Sequence, residues 1–375
     1  MATLPASVIA PTDPTLDAIG AAMENVNRTD PPRGYLGMSS IGEECERRLF
    51  YQFRFCFPAG GGFDAKGLSN VQDGHRTEDV MAERLRMVPG VELHTVDPTS
   101  GKQFGFKDLA GHFRGHIDGA IRGILQAPKA WHIWENKASE KGPAELAKAK
   151  ADVGEKAALA KWHPTYYAQA VLYMHYGEMD RHYITVTGPG GRMPWTSART
   201  SAAPEVAATL IAKADRVIFA AEPPPRLSDD PAHYKCKLCP ASAVCHTPKL
   251  PAVSCRTCLH ATPEKDGDGR WSCALAPGES IPQDVQHTGC QSHLYIPALL
   301  KRWGEPTDAS AEEGWVEYTA ADGLVFRNGP WGLTSYTSKE LSGWTPALLR
   351  SPEFAEIRAK YEARFLSDDE WEAAA

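Results

Sequence analysis

The chain has 375 residues, of which 42% are hydrophobic and 23% are charged. This composition is typical of a globular protein and excludes both wholesale disorder and a membrane protein. The 40 basic and 47 acidic residues leave a net charge of −7, which argues against a general nucleic-acid coat protein but not against a local basic groove. The length predicts about two to three domains. Nine cysteines are too few for a disulfide scaffold in a chain of this size.

The N-terminal segment, residues 1–33, is rich in Pro, Asp, Thr and Ala, and we expect a poorly ordered arm with a short helix at 15–26. Pro5 and Pro11 interrupt its apolar stretch, so no signal peptide is predicted. No segment reaches the roughly 18 apolar residues of a membrane helix. A cytoplasmic protein without membrane contact is therefore expected. In that compartment, Cys-x-x-Cys spacing indicates metal ligands or catalytic thiols rather than disulfides.

The elements predicted along the chain alternate between helices and strands. Apolar periodicity predicts a helix within 34–59, capped by Ser39 or Ser40 and ended by the glycines at 60–62, and a second helix over 69–87. Short β-like runs follow at 91–96, 102–107, 111–122 and 130–138. Three further helices are predicted at 143–161, 164–177 and 203–221, and one strand is predicted at 181–187. This order predicts an α/β core.

Two short segments carry the clearest chemistry. In GHFRGHIDGAIRG, read as one strand, His116 and Asp118 share a face, and in WHIWENKAS, Glu135 and Lys137 share a face of the next strand. Carboxylates from adjacent strands offer the oxygens that a hard cation such as Mg²⁺ requires. A lysine beside them can orient or deprotonate an attacking water and balance charge on phosphorus. The alternative is a turn at Asp118 and an ion pair between Glu135 and Lys137 on a solvated face.

This pattern resembles the PD-(D/E)XK nuclease superfamily, specifically its RecB-like branch, in which an Asp ends one strand and Glu-x-Lys lies on the next. Gln169 and Tyr173 in YYAQAVLYM match the downstream Gln-x-x-x-Tyr helix, and their spacing of four places them on one helix face. His75 and Glu78 in GHRTE match the upstream helix, where either a His or a carboxylate serves as a ligand. The alternatives are an exposed helix start at GHRTE and ordinary packing of an aromatic helix at YYAQAVLYM.

The resemblance implies a restriction-endonuclease-like core, a central mixed sheet flanked by helices, and a metal-dependent deoxyribonuclease that acts as an exonuclease on single-stranded or double-stranded DNA ends. Asp118, Glu135 and the backbone carbonyl of Asn136 would bind one or two Mg²⁺ or Mn²⁺ ions. His75 or Glu78 would supply a further ligand.

The resemblance also implies roles for the remaining polar residues. Lys137 would position the hydrolytic water, and Gln169 and Tyr173 would hold the scissile strand or Lys137. Five lysines would line a phosphate-binding face, for which the alternative is a solvated helix paired with acidic neighbours. These lysines are Lys141, Lys148, Lys150, Lys156 and Lys161.

A first cysteine set ends the presumed nuclease core. CKLCPASAVC contains Cys236, Cys239 and Cys245, which lack only a fourth ligand for a tetrahedral or cubane site, and Cys45 is the distant candidate. This arrangement resembles the iron-sulfur clasp of the AddB and CRISPR-associated RecB-like nucleases. It implies a 4Fe-4S cluster that ties the two ends of the domain together. The alternatives are a zinc site that includes His246 and simple buried thiols.

A second cysteine set has the spacing C-x2-C-x14-C-x16-C, which is typical of a zinc ribbon or knuckle, and EKDGDGRW supplies a turn between its strands. Its members are Cys255, Cys258, Cys273 and Cys290. Structural zinc is predicted here, with iron as the alternative. A histidine could replace one thiol, the candidates being His260, His287 and His293. Cys56 has no partner pattern and is predicted to be a core residue.

These features divide the chain into the N-terminal arm (1–33), a nuclease core with its clasp (34–250), a zinc-binding Cys-rich module (251–297) and a small C-terminal α+β module (298–375) with a hairpin and a final helix near 352–366. The chain has no Gly-x4-Gly-Lys-Ser/Thr loop. It thus resembles compact RecB-like proteins that carry extra zinc modules and no helicase motifs, and this resemblance implies a nuclease of phage recombination or replication. A recombinase or single-strand-binding protein is the candidate protein partner. The alternatives are a noncatalytic DNA-end-binding or assembly module, which the intact Asp118, Glu135 and Lys137 disfavour, and a CRISPR spacer-processing nuclease.

Overall fold

The computed structural model describes residues 13–29, 33–57 and 63–362. The predicted helix end at 60–62, the last residues of the predicted final helix and residues 1–12 of the arm lie outside the described residues. Within the arm, helix α1 (Pro14–Thr29) contains the helix predicted at 15–26. Its Glu24 Oε1 accepts a hydrogen bond from the backbone amide of Ala65, at 2.9 Å. This part of the arm therefore packs against the folded core.

The first part of the core contains two helices and five short strands. These are β1 (Leu36–Gly37), α2 (Glu46–Phe53), α3 (Ala65–Arg86), β2 (Glu92–His94), β3 (Gly105–Asp108), β4 (Phe113–His116) and β5 (Gly119–Arg122). The predicted cap of α2 was wrong: Cys45 holds that position, and Ser40 Oγ donates to the carbonyl of Gly37 instead. The predicted strand at 111–122 is broken, since β4 and β5 pair in different sheets.

The second part of the core contains β6 (His132–Ala138), α4 (Gly142–Val153), α5 (Glu155–Trp162), α6 (Pro164–Tyr176), β7 (Arg181–Thr187), β8 (Trp195–Ser201) and α7 (Pro204–Ile218). The helix predicted at 143–161 is two helices. They meet at Gly154, whose φ of +80° lies in the left-handed region that favours glycine. Strand β8 was not predicted.

The central sheet has the order β2-β5-β6-β7-β8. It is mixed, because β6 and β7 are parallel whereas the other pairs are antiparallel. Helix α3 packs on one face, where Met81 and Leu85 meet Trp134. Helices α4 to α6 cover the other face, where Leu146 and Leu159 pack in one buried cluster with strand residues. The predicted α/β class, with a mixed sheet flanked by helices, is confirmed. A smaller sheet has the order β1-β4-β3.

The rest of the chain contains short elements: α8 (Tyr234–Lys237), α9 (Ser242–His246), β9 (Ala261–Pro263), β10 (Trp271–Cys273), β11 (Ala276–Ser280), α10 (Pro297–Leu300), β12 (Glu305–Ser310), β13 (Trp315–Thr319), β14 (Val325–Asn328), β15 (Ser335–Tyr336), α11 (Ser338–Gly343), α12 (Pro346–Leu349) and α13 (Pro352–Tyr361). The sheets have the orders β11-β10-β9 and β12-β13-β14-β15. The predicted C-terminal hairpin corresponds to β13 and β14, and the predicted final helix to α13.

One cluster of buried side chains runs across both predicted module boundaries. Phe53 of the core, Trp271 of the Cys-rich segment and Tyr318 of the C-terminal segment all belong to it. Cys56 is 1% exposed and lies in the same cluster, as predicted for a core residue. The module division stays a prediction, but these segments share one apolar interior. No helix in the described ranges is long and apolar enough to cross a membrane.

Candidate active site

Asp118 lies between the ends of β4 and β5, beside strand β6. Its Oδ2 accepts a hydrogen bond from the backbone amide of Asn136 at 2.8 Å, which fixes the carboxylate against β6. His116, by contrast, belongs to β4 and pairs with Gly105 in the smaller sheet. The prediction that His116 and Asp118 share one strand was therefore wrong. The chain changes sheets between these two residues.

Glu135 and Lys137 lie two residues apart on β6, as predicted, and their side chains meet. Lys137 Nζ donates to Glu135 Oε2 at 2.8 Å and lies 3.9 Å from Asp118 Oδ2. The Glu135 side chain is only 2% exposed. This burial excludes the alternative of an ion pair on a solvated face. Two carboxylates and one lysine are instead gathered in a largely buried site.

Helix α6, which packs on the sheet, contributes the next two residues of the site. Gln169 Nε2 donates both to Glu135 Oε2 at 3.1 Å and to Tyr173 Oη at 3.2 Å. Gln169 and Tyr173 are buried, so Gln169 holds Glu135 directly. Sequence reasoning missed Tyr166, whose ring centroid lies 5.5 Å from Lys137 Nζ. Its spacing of three from Gln169, which puts both on one helix face, is the signal that could have found it.

Helix α3 presents Glu78 rather than His75 to this site. Glu78 is half-buried, and its pKa is raised to about 7 by burial and by the Asp118 carboxylate, against an opposing effect of Lys137. His75 is exposed. The upstream residue that the electrostatics connect with Asp118 is therefore the carboxylate.

The crowding of carboxylates shifts the protonation of the whole site. Burial and the charge of Asp118 raise the pKa of Glu135 to about 8, although Lys137 opposes the shift. Burial alone would lower the pKa of Lys137, but Glu135 and Asp118 outweigh it and raise that pKa. Lys137 consequently remains an ammonium at neutral pH. The raised pKa values mean that Glu135 and Glu78 hold protons near neutral pH, and a bound cation would displace these protons.

The donor set fits a hard divalent cation. Glu135 Oε1 is buried and has no hydrogen-bond partner among the described residues, and carboxylate and carbonyl oxygens are the ligands that Mg²⁺ and Mn²⁺ prefer. The Asn136 side chain is engaged elsewhere, since its Oδ1 accepts from Thr185 Oγ1 at 2.9 Å. Within the described ranges, no group of three or more His, Cys, Asp or Glu side chains is arranged to hold an ion as it stands. Ion binding would thus require side-chain rotation.

The five lysines of the predicted phosphate-binding face differ in their contacts. Lys150 Nζ donates to the carbonyl of Ser197 at 2.7 Å and lies 4.0 Å from Glu155 Oε1. It connects α4 with β8 and the start of α5. The other four are exposed, namely Lys141, Lys148, Lys156 and Lys161. Lys150 is therefore a structural contact rather than a free cation.

The four cysteines of the first set face a common cavity, although in the described ranges no three of them are arranged to hold an ion as they stand. One cavity of about 640 Å³ is lined by all four cysteines, Cys45, Cys236, Cys239 and Cys245. Cys45 sits at the N-terminus of α2, and the other three lie in and between α8 and α9. His246, the alternative ligand, lines the same cavity. The early and late parts of the core thus meet at this point.

The second cysteine set surrounds the β9–β10 hairpin. Cys255 and Cys258 lie just before β9, Cys273 ends β10, and Cys290 lies in the loop that follows β11. Among the alternative ligands, His293 is buried and hydrogen-bonded to Thr257 Oγ1 at 3.2 Å, whereas His287 is exposed and His260 is half-buried.

Comparisons with known proteins give only coarse likenesses. No protein-family model matches the chain, and no curated protein sequence matches it. Among solved structures, an alkaline exonuclease from Laribacter hongkongensis is 12% identical over 52% of this chain and 90% of its own, with a TM-score of 0.34. A phage-related exonuclease from Haemophilus somnus is 14% identical over 52% of this chain and 94% of its own, with a TM-score of 0.33. The protein SSO0001 is 13% identical over 62% of this chain and 96% of its own, with a TM-score of 0.35.

Proposed function

We propose that the chain is a metal-dependent nuclease that hydrolyses DNA phosphodiester bonds, acting as an exonuclease on DNA ends. The observation that carries this proposal is the buried contact of Lys137 with Glu135, with Asp118 beside it. Burying two carboxylates and an ammonium costs stability that a purely structural pair would not recover. Such strongly perturbed groups are typical of functional sites.

Each residue of this site has a defined task in the proposed reaction. Asp118, Glu135 and the carbonyl of Asn136 would hold one or two Mg²⁺ or Mn²⁺ ions, with Glu78 as the further ligand. The bound ion would act as a Lewis acid toward the phosphoryl oxygens. Because its pKa is raised, Lys137 serves as a fixed positive charge that orients the attacking water and offsets charge on the phosphate, rather than as a base.

Gln169 keeps Glu135 in place during this reaction. Its amide donates to one oxygen of Glu135 and leaves the other free. Tyr173 supports Gln169, and the Tyr166 ring covers the ammonium of Lys137. The DNA backbone would run along the exposed lysines of α4 and α5, where local positive charge suffices despite the acidic total.

We also propose that the chain belongs to the RecB-like branch of the PD-(D/E)XK superfamily. In support, the upstream carboxylate, the Asp, the Glu-x-Lys and the Gln-x-x-x-Tyr occur in the family order and meet in space. The phage recombination context and the recombinase or single-strand-binding partner follow from this resemblance as predictions, and the cytoplasmic location stays a prediction from the sequence.

The same resemblance leads us to propose a 4Fe-4S cluster on Cys45, Cys236, Cys239 and Cys245. Their shared cavity supports it, since a cluster there would tie α2 to the end of the core. The full chain purified without oxygen should be brown, with broad visible absorption that Cys45→Ser removes. A colourless protein that carries zinc at these thiols would favour the alternative with His246.

The nuclease proposal is tested by incubating the chain with end-labelled linear DNA, single-stranded and double-stranded, with Mg²⁺ or with a chelator. Cleavage should require the metal ion, start at the ends and spare closed circular DNA. Lys137→Ala should abolish cleavage while circular dichroism stays unchanged, and Lys301→Ala, an exposed lysine after α10, should cleave normally. DNA-end binding without cleavage by the wild-type chain would instead support the noncatalytic alternative.

A further inference from the structure

The backbone brings the first and last cysteines of the second set together. The amide of Cys255 donates to the carbonyl of Thr288 at 2.9 Å, two residues before Cys290. The packing there is tight: a Cβ on Gly289 would lie 2.3 Å from Val253 Cγ1. The loop that carries Cys290 therefore lies directly on the turn that carries Cys255.

The two middle cysteines lie on the adjoining strands. Cys258 forms an isolated β-bridge with Tyr295, next to the Cys290 loop. Cys273 is in register with Ala261, three residues beyond Cys258. The turn, the hairpin and the loop thus converge from three separate parts of the sequence.

Arg256, between the first two cysteines, is fully buried. Its guanidinium donates to the carbonyls of Phe53 and Gly34, both at 2.8 Å, and to Gln286 Oε1. It lies over the rings of Phe55 and Trp271, at 4.1 and 4.6 Å from their centroids. The Arg256 side chain therefore fastens the turn to the core.

We propose that Cys255, Cys258, Cys273 and Cys290 bind one structural zinc ion. This zinc brace would hold the turn, the hairpin and the loop together, and Arg256 would connect it with the core. Binding releases the thiol protons to solvent. In the described part of the chain no three of these side chains are arranged to hold an ion, so the ion would draw the thiols together by side-chain rotation. The brace does not depend on the proposed nuclease activity.

The test begins with elemental analysis of the full chain. We expect about one zinc ion per chain at this site, lost in Cys273→Ser and retained in Cys56→Ala, which removes a buried thiol outside both sets. In the wild-type chain, Co²⁺ exchanged for zinc should show the spectrum of a tetrahedral tetrathiolate, a measurement that does not need the variant to fold. Iron at this site, zinc retained in Cys273→Ser or a Co²⁺ spectrum without thiolate bands would each overturn the proposal.

The role of Arg256 has its own test. Arg256→Met should lower the thermal midpoint of the zinc-loaded chain more than that of the chelator-treated chain, because only in the loaded form is the turn held rigidly enough for Arg256 to couple it to the core. Equal losses in the two forms would show that Arg256 acts independently of the ion, and would overturn its role in connecting the zinc site with the core.

Discussion

His182 makes the fold sensitive to acid. It lies on β7, between β6 and β8, and is 1% exposed. Neither ring nitrogen has a hydrogen-bond partner among the described residues. Burial, followed by the charges of Lys137 and His132, lowers its pKa from the ordinary 6.5 to about 3. As the pH falls below about 6.5, His182 binds a proton in the unfolded chain but stays neutral in the folded chain, so the free energy of unfolding decreases.

The size of this loss follows from the two pKa values. Between about pH 7 and pH 5, one such histidine destabilises the fold by about 2 kcal/mol, and the value hardly changes if the folded pKa lies one unit higher. His182→Leu removes the titrating group and keeps an apolar side chain in the pocket. Relative to the wild type, its free energy of unfolding should therefore improve by about 2 kcal/mol on acidification over this range.

Urea denaturation at both pH values, in one buffer with fixed metal content, measures this difference. His175→Leu, the same substitution at an exposed histidine of α6, should follow the wild type. If His182→Leu lost as much stability on acidification as the wild type, the folded chain would be protonating His182, and the burial argument would be refuted.

Two further predictions concern metal and DNA. Glu78→Gln should weaken Mn²⁺ binding about 10-fold or more, whereas His75→Gln should leave it unchanged. Calorimetric titration of both variants measures these affinities, and weaker binding by His75→Gln than by Glu78→Gln would contradict the choice of Glu78 as the ligand. Lys148→Ala should weaken DNA binding and reduce its salt dependence by about one charge. Lys150→Ala should instead lower the free energy of unfolding by about 1 kcal/mol. Fluorescence anisotropy measures DNA binding and urea denaturation measures stability; weaker DNA binding by Lys150→Ala with unchanged stability would contradict this assignment.

Strong apolar periodicity was enough to predict several elements. The helix predicted at 164–177 is α6, and the strand predicted at 181–187 has the bounds of β7. Strand β8 was missed because its sequence, WTSARTS, buries only Ala198 and Thr200, which leaves almost no apolar alternation to detect. The break between β4 and β5 was missed because sheet membership depends on distant pairing partners rather than on local pattern.

The candidate site shows the same division between local and distant information. Glu135 and Lys137 share a face by strand geometry alone, so their contact could be predicted from spacing. The choice between His75 and Glu78 depends on how α3 is rotated against the sheet, and both residues fit the motif. The structural role of Lys150 depends on β8, which the sequence did not predict.

The central claim is that Asp118, Glu135 and Lys137 form a metal-dependent hydrolytic site. Single-turnover cleavage of end-labelled linear DNA by Asp118→Ala, with Mg²⁺ present and folding checked by circular dichroism, tests it most directly. The account predicts that this variant leaves the DNA intact under conditions in which the wild-type chain degrades it. Cleavage by Asp118→Ala at the wild-type rate would contradict the account.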